Sequence, residues 1–388
     1  MNRVVSLAAR LPAPVRRALR AVPGLYQVRA RLYGRPAATG PAPGQPKPIV
    51  YLPTWLRWDQ MRQRPQNLLA ELSQAGHPVF FVDPREPAER LDGAVRIVPD
   101  LASAPGRNVI LYVHFAPARV LFDKFENPVV VYDVLDDLSI YAPGERGLAG
   151  RWSVSSHHPA LMAEADVVMV SIGVLAERHR AERADLLVVE NGVQAARFSA
   201  PAARPADLPT GTGPLVGFHG AVARWFDFDL LAEVAAQLAD WDFVVVGPVD
   251  SAASREAARL NRRPNVHFIG ERSSSSMPGY VQSFDIGAIW FRLDGLTRAV
   301  SPLKMFEYLA AGKPVVASPL PACIASPSVR TAATAGEFVT ALQEAATERH
   351  DAGKRAVALE EARAADWSAR VRPLLDRLNR LDVRYAPP

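Results

Sequence analysis

The chain has 388 residues, 49% of them hydrophobic, which is enough to bury two ordinary cores, so two domains are expected. Its only cysteine, Cys323, excludes an intrachain disulfide framework and any cysteine-cluster metal site, and fits a reducing cytoplasm. The net charge of +5 is modest but uneven, because no acidic residue precedes Asp59 while residues 1–47 hold eight arginines and one lysine.

That basic arm lacks the unbroken apolar core of a signal peptide, and no run reaches the roughly 18 apolar residues of a membrane-spanning helix. Val4, Leu7, Ala8 and Leu11 can share one helical face with Arg3 and Arg10 at its flanks. Such a face suits peripheral contact of residues 1–35 with the inner face of the cytoplasmic membrane. The alternative is a poorly ordered basic tail ending in the Pro/Gly-rich linker 36–48. Nucleic acid is not an expected partner, because aromatic residues are not interleaved with the cations as in a stacking platform.

After the linker, strand and helix signals alternate. Strands are expected at 49–52, 79–82, 95–98, 109–113, 129–132, 167–170 and 186–189, and helices at 66–74, 157–165 and 174–183. Residues 199–214 are rich in Pro and Gly and poor in periodic apolar residues, which marks a domain boundary. The alternation then restarts, with strands at 215–218, 243–246, 266–268, 286–290 and 315–317. Helices are expected at 228–238, 255–260, 278–284, 303–311 and 337–347, and over 354–382 with breaks near Trp367 and at Pro373. Short, nearly continuous apolar strands separated by helices predict parallel, doubly wound sheets whose ligands sit at the carboxyl ends of the strands.

One stretch concentrates the chemistry. Residues 291–320 read as an irregular polar loop, Pro302, a short helix from Leu303 stopped by Gly312, and an apolar strand. Unpaired N–H groups at that helix start, beside Ser301 and Lys304, suit a phosphate. One turn further on, Glu307 can accept hydrogen bonds from a diol such as a ribose. No GxGxxG follows either first strand, which argues against a plain dinucleotide dehydrogenase.

Four blocks in order, VVENGVQAARF (188–198), VGFHGAVARWFDFDLLAEVA (216–235), NVHFIGERSSSSMPGYVQSFDIGAIWF (265–291) and SPLKMFEYLAAGKPVVAS (301–318), resemble the GT-B-fold, nucleotide-sugar-dependent glycosyltransferases. The nearest type is the retaining, family-4-like enzymes of bacterial surface polysaccharides. WLRWDQMRQRPQ (55–66) and VVVYDVLDDLSIY (129–141) extend the likeness to the first half, so that it covers roughly residues 48–370.

The resemblance implies an α/β fold with two Rossmann-like domains facing a cleft and a C-terminal helix packing back. The expected parts are the arm 1–47, an acceptor domain 48–205, a nucleotide-sugar domain 213–350 and a helical segment 351–388. It implies that Glu307 binds the donor ribose, and that the diphosphate lies against Gly220, Ser301 and Leu303 at the helix start. It also implies a nucleotide-sugar co-substrate, a glycan or lipid-linked acceptor, no catalytic metal, and retention of anomeric configuration.

Three positions depart from the family's pattern. Ala299 stands where an earlier glutamate is usual, which leaves Asp294 as the nearest carboxylate for the donor sugar. Ala221 and Phe226 stand where an Arg and a Lys usually face the diphosphate, so Arg224, Arg298 and Lys304 must restore the charge, with at least two of the three facing it. On the acceptor side, Trp55, Arg62, Arg64 and His114 suit sugar rings and a phosphate. Asp133, Asp136 and Asp137 crowd one strand end, where a carboxylate's pKa should rise as a general base requires. Asp136 is the first candidate for the reaction centre and Asp133 the second, with helix capping as the competing role. Two other readings of the departures are a non-catalytic sugar-nucleotide or polysaccharide-binding subunit and a sugar-nucleotide 2-epimerase.

Overall fold

The structure is a computed structural model that describes residues 33–54, 56–59, 62–136 and 157–384. The arm's residues 1–32, Trp55 and Asp137 lie outside the described residues. The chain forms two compact units: one runs to Val189 and takes in the chain again from Val371, and the other is Glu190–Arg370.

The first unit is built on an eight-stranded sheet. Its strands are β1 (Ile49–Tyr51), β2 (Val79–Val82), β3 (Arg90–Asp92), β4 (Val95–Val98), β5 (Ile110–Val113), β6 (Val129–Val134), β7 (Val167–Val170) and β8 (Leu187–Val188), in spatial order β3-β4-β2-β1-β5-β6-β7-β8. Every pair is parallel except β3 with β4. β1, β2, β5, β6 and β7 are buried throughout, as their unbroken apolar runs demand. The polar edge strand β3 is an addition to the expected elements. It pairs through a tight turn at Gly93, whose φ of +57° favours glycine.

The second unit holds a six-stranded, wholly parallel sheet. It comprises β9 (Leu215–His219), β10 (Asp242–Val246), β11 (Val266–Gly270), β12 (Ile286–Ile289), β13 (Val315–Ala317) and β14 (Val329–Thr331), in order β11-β10-β9-β12-β13-β14. The expected topology of two doubly wound sheets is therefore present. The compact units divide ahead of the Pro/Gly-rich stretch 199–214, because Val193, Phe198 and Leu208 are all buried in the second unit's core. The helical segment at the C-terminus breaks near Trp367, and its last helix, Arg372–Arg384, carries Pro373 in its first turn. That helix returns to the first unit, where Arg377 Nη2 donates to Asp185 at 2.6 Å. Among the described residues no helix is long and apolar enough to cross a membrane.

Candidate functional site

In the second unit, three neighbouring strands end in glycine turns. Gly220, Gly247 and Gly270 follow or close β9, β10 and β11 with φ of +128°, +151° and +76°. Gly220 N–H donates to the Val246 carbonyl and Gly247 N–H to the Gly270 carbonyl, both at 2.9 Å. A Cβ on Gly247 would lie 2.1 Å from the Gly220 carbonyl oxygen, and one on Gly220 would lie 3.0 Å from Lys304 Cε and 3.2 Å from its Nζ. Only bare backbone fits at that rim, which brings the lysine amine up against the end of β9.

Helix Leu303–Ala310 supplies the facing side chains. Pro302 precedes it, and no side chain caps its N-terminus, so its first N–H groups remain available to an anion. Met305, Phe306, Tyr308 and Leu309 are buried in the core, whereas Lys304 and Glu307, three residues apart, are only partly covered. Lys304 Nζ sits 4.8 Å from the Phe218 ring centre and 4.7 Å from that of Phe291. Burial pulls its pKa down to about 8, against the opposing field of Glu307. Glu307 Oε2 lies 2.9 Å from His219 Nε2, an ion-pair distance without the alignment of a hydrogen bond. Burial also lowers the pKa of the Arg197 guanidinium, and Glu307 acts in the opposite sense. His219 and Arg197 are therefore site residues beyond those expected, and both lie inside quoted sequence blocks, GFHG and QAARF.

The remaining donor-side expectations are placed as follows. The Ser301 carbonyl accepts from Asn191 Nδ2 at 2.7 Å, which ties the Asn191-Gly192 turn to the loop before the helix. Asp294 is engaged in a local turn. Its Oδ1 accepts from Thr297 N–H at 2.9 Å, and Thr297 Oγ1 accepts in return from Asp294 N–H at 3.0 Å, so it caps the short turn Thr297–Ala299. Arg298 on that turn and Arg224 after β9 are both exposed. Ala299 is fully buried, as is Phe226, which packs edge-on against Phe218 at 5.1 Å. Neither position could hold a charge without a burial penalty. His267 is paired with Asp242 at 2.8 Å within the sheet, as expected of a strand residue.

In the first unit, Asp133 belongs to a buried ion pair. Asp133, on β6, is fully buried, and Arg64, at the start of helix Arg64–Gln74, is 3% exposed. Arg64 Nε donates to Asp133 Oδ1 and Oδ2 at 3.1 and 3.0 Å, and the Tyr112 hydroxyl donates to Oδ2. A buried carboxylate must be paired, and this one takes an arginine assigned by sequence to the acceptor. The Tyr112 phenol is raised well above its ordinary pKa, by burial first and by Asp133 second. His114, just past β5, has its Nδ1 3.0 Å from the Tyr51 hydroxyl, and burial lowers its pKa to about 4. Arg62 Nε donates to Asn67 Oδ1 at 2.9 Å and its guanidinium lies over Trp58 at 5.6 Å. Asp136 follows β6 and is half-buried.

The chain is similar to known proteins in sequence and in fold. Residues 213–348 match the family described as glycosyl transferases group 1. Over 288 residues, 71% of this chain and 72% of the relative, the sequence is 29% identical to a Bacillus subtilis (strain 168) protein named as the teichuronic acid biosynthesis glycosyltransferase TuaH. Sucrose-phosphate synthase of Thermosynechococcus elongatus superposes with a TM-score of 0.65 at 15% identity, covering 87% of this chain and 100% of that one. HepE of Anabaena, solved in complex with UDP, gives 0.61 at 14% identity over 86% and 100%.

The buried pair gives a direct test. Arg64→Ala leaves Asp133 charged and uncompensated, which should lower the stability of the first unit by about 3–5 kcal/mol in urea unfolding. Combining Arg64→Met with Asp133→Leu should recover most of that loss, and a single Arg64→Ala without effect on the unfolding midpoint contradicts the pairing.

Proposed function

We infer that this chain, a GT-B-fold glycosyltransferase, moves a sugar from a nucleoside-diphosphate donor to a hydroxyl of a glycan or lipid-linked acceptor in the building of cell-surface polysaccharide. The observation that carries the donor half is the convergence of Lys304, Glu307 and His219 on the glycine rim at the uncapped start of helix Leu303–Ala310. In this reading the diphosphate lies along the Gly220 backbone and the helix N-terminus with Lys304 as its main cation, and Glu307 accepts from the ribose hydroxyls. His219 holds the Glu307 carboxylate in place. Arg298 and Arg224, being exposed, can swing toward the phosphates, and no metal is needed to neutralise them. The teichuronic acid assignment of TuaH and the UDP bound by HepE support the substrate class.

On the acceptor side we assign the acidic residue of the reaction centre to Asp136, since Asp133 is consumed by Arg64 and Tyr112. Retention of anomeric configuration follows the family resemblance and is read from the product's anomeric proton. Incubating the protein with UDP-, GDP- and TDP-sugars while following nucleotide release and thermal shift tests both halves. Glu307→Ala should lose charge-assisted hydrogen bonds worth about 1.5–3 kcal/mol, weakening nucleotide binding roughly ten- to a hundredfold. Asp136→Asn should keep the thermal shift and lose transfer. No shift with any nucleotide would sink the donor site.

Lys304 makes binding pH-dependent. Its amine is protonated below about 8 and neutral above, and only the charged form attracts the diphosphate. The terminal phosphate, with a pKa of about 6, is ionised throughout this window. Nucleoside-diphosphate affinity should therefore be full near pH 7 and fall as pH rises through 8, by up to about tenfold per unit. Lys304→Arg, which stays charged, should flatten the profile in titration calorimetry.

We place the basic arm, residues 1–35, against an anionic membrane surface, a reading supported by its amphipathic pattern and its lack of acidic residues. Flotation with vesicles containing anionic lipid should recover the full chain and leave residues 46–388 behind; equal recovery rejects membrane contact.

A further inference from the structure

Among the described residues, one group of metal-ligating side chains stands apart from those used above. His158, His179 and Glu182, all in the first unit, each offer one ligand atom, and these atoms lie within 4.8 Å of one another. The topology brings them together. His158 opens the helix 157–164, His179 closes the helix Gly173–His179 that follows β7, and Glu182 lies three residues on. Their partner strands β6 and β7 are parallel neighbours, and Tyr132 of β6 points its hydroxyl at His158 Nδ1, 2.8 Å away. Tyr132 and Asp133 are consecutive, so they face opposite sides of the sheet, and this cluster is on the side away from the Arg64–Asp133 pair.

We propose that His158, His179 and Glu182 bind a divalent transition metal of the zinc type. Two imidazoles and a carboxylate are a borderline donor set that suits Zn²⁺ or Co²⁺ rather than Mg²⁺ or Ca²⁺. The second, independent observation is a nitrogen with nothing to do. His179 is 8% exposed, its Nδ1 is 3.0 Å from Glu182 Oε2, and its Nε2 is buried with no hydrogen-bond partner. A buried imidazole nitrogen left unpaired costs folding free energy, and a metal is the partner that removes that cost. The His158 and His179 rings meet edge to face at 5.3 Å.

Bonds of about 2.0–2.2 Å in a tetrahedral site put ligand atoms roughly 3.3 Å apart, so the group must close by a side-chain rotation. Glu182, with its side chain 54% exposed, has the freedom to leave His179 Nδ1 and swing round to a metal on Nε2. Tyr132 would then act behind His158 by fixing the ring's orientation. The metal would clamp the start of the helix 157–164 to the end of the helix Gly173–His179, with a fourth position left to solvent.

The untagged full-length chain, dialysed first against chelator, then against Zn²⁺ and finally against buffer, should retain about one zinc per chain by elemental analysis. His158→Gln and His179→Gln should each cut the retained zinc at least tenfold, while a nucleotide-induced thermal shift shows that the second unit is still folded. In the wild-type chain, Co²⁺ should give the intense visible bands of a four-coordinate site. A wild-type chain that retains no zinc, or Co²⁺ with the pale spectrum of its aquo ion, overturns the proposal even where the variants fail to fold. Equal zinc in wild type and in a folded His158→Gln/His179→Gln double variant overturns it as well.

Discussion

The placing of Lys304 and Glu307 depends on how one short helix is seated. Helix Leu303–Ala310 can present a lysine and a glutamate at a strand edge only because its other face is fixed. Tyr308, fully buried, lies so close to β12 that a Cβ on Gly287 would come within 2.3 Å of its ring. Its hydroxyl accepts from His219 N–H at 3.1 Å, and its ring meets the His219 ring edge-on at 5.3 Å. One residue thus sets both the height of the helix over the sheet and the orientation of the histidine beside Glu307. Eight residues would not hold a helix in water on propensity alone, so this packing is what makes the helix exist.

The two units solve the problem of placing charge beside a core in different ways. In the first, Arg64 and Asp133 are both removed from water and paired, with Tyr112 completing the acceptor's hydrogen bonds. Such a pair fixes the start of helix Arg64–Gln74 against β6 and leaves little capacity for a substrate. In the second, Lys304 and Glu307 are only partly covered beside the buried His219, and the aromatic faces of Phe218 and Phe291 take the place of a counter-ion for the lysine. The first arrangement spends the carboxylate's hydrogen-bonding capacity inside the protein. The second keeps unspent capacity, as a binding site requires.

Most of the fold was legible in the sequence because buried parallel strands leave nearly continuous apolar runs, as in Val79–Val82 and Val129–Val131. β3 and β14 were not, since Arg90–Asp92 and Val329–Thr331 carry too few apolar residues to stand out from loops. The spacing around Leu303 placed Lys304 and Glu307 about one turn apart on a single helix, because helix geometry is local. His219 escaped notice because its meaning comes from Glu307, 88 positions away. The Arg64–Asp133 pair spans 69 positions and escaped for the same reason. Asp294 was open to a better reading: Asp followed three residues later by Thr is a turn-capping pattern, and that is the use the structure makes of it.

The departures at Phe226 and Ala299 belong to the same packing arrangement as Lys304. Phe226 stacks edge-on against Phe218, and Phe218 offers its face to the lysine amine. A lysine at position 226 would remove that aromatic support and bring a second cation into the core. The site therefore concentrates its positive charge in one partly desolvated amine. Burial lowers the pKa of that amine to about 8, and an anion bound beside it would raise it again. A diphosphate bound as proposed would therefore itself stabilise the charged amine, which accounts for how the site tolerates Ala221 and Phe226 in place of upstream cations.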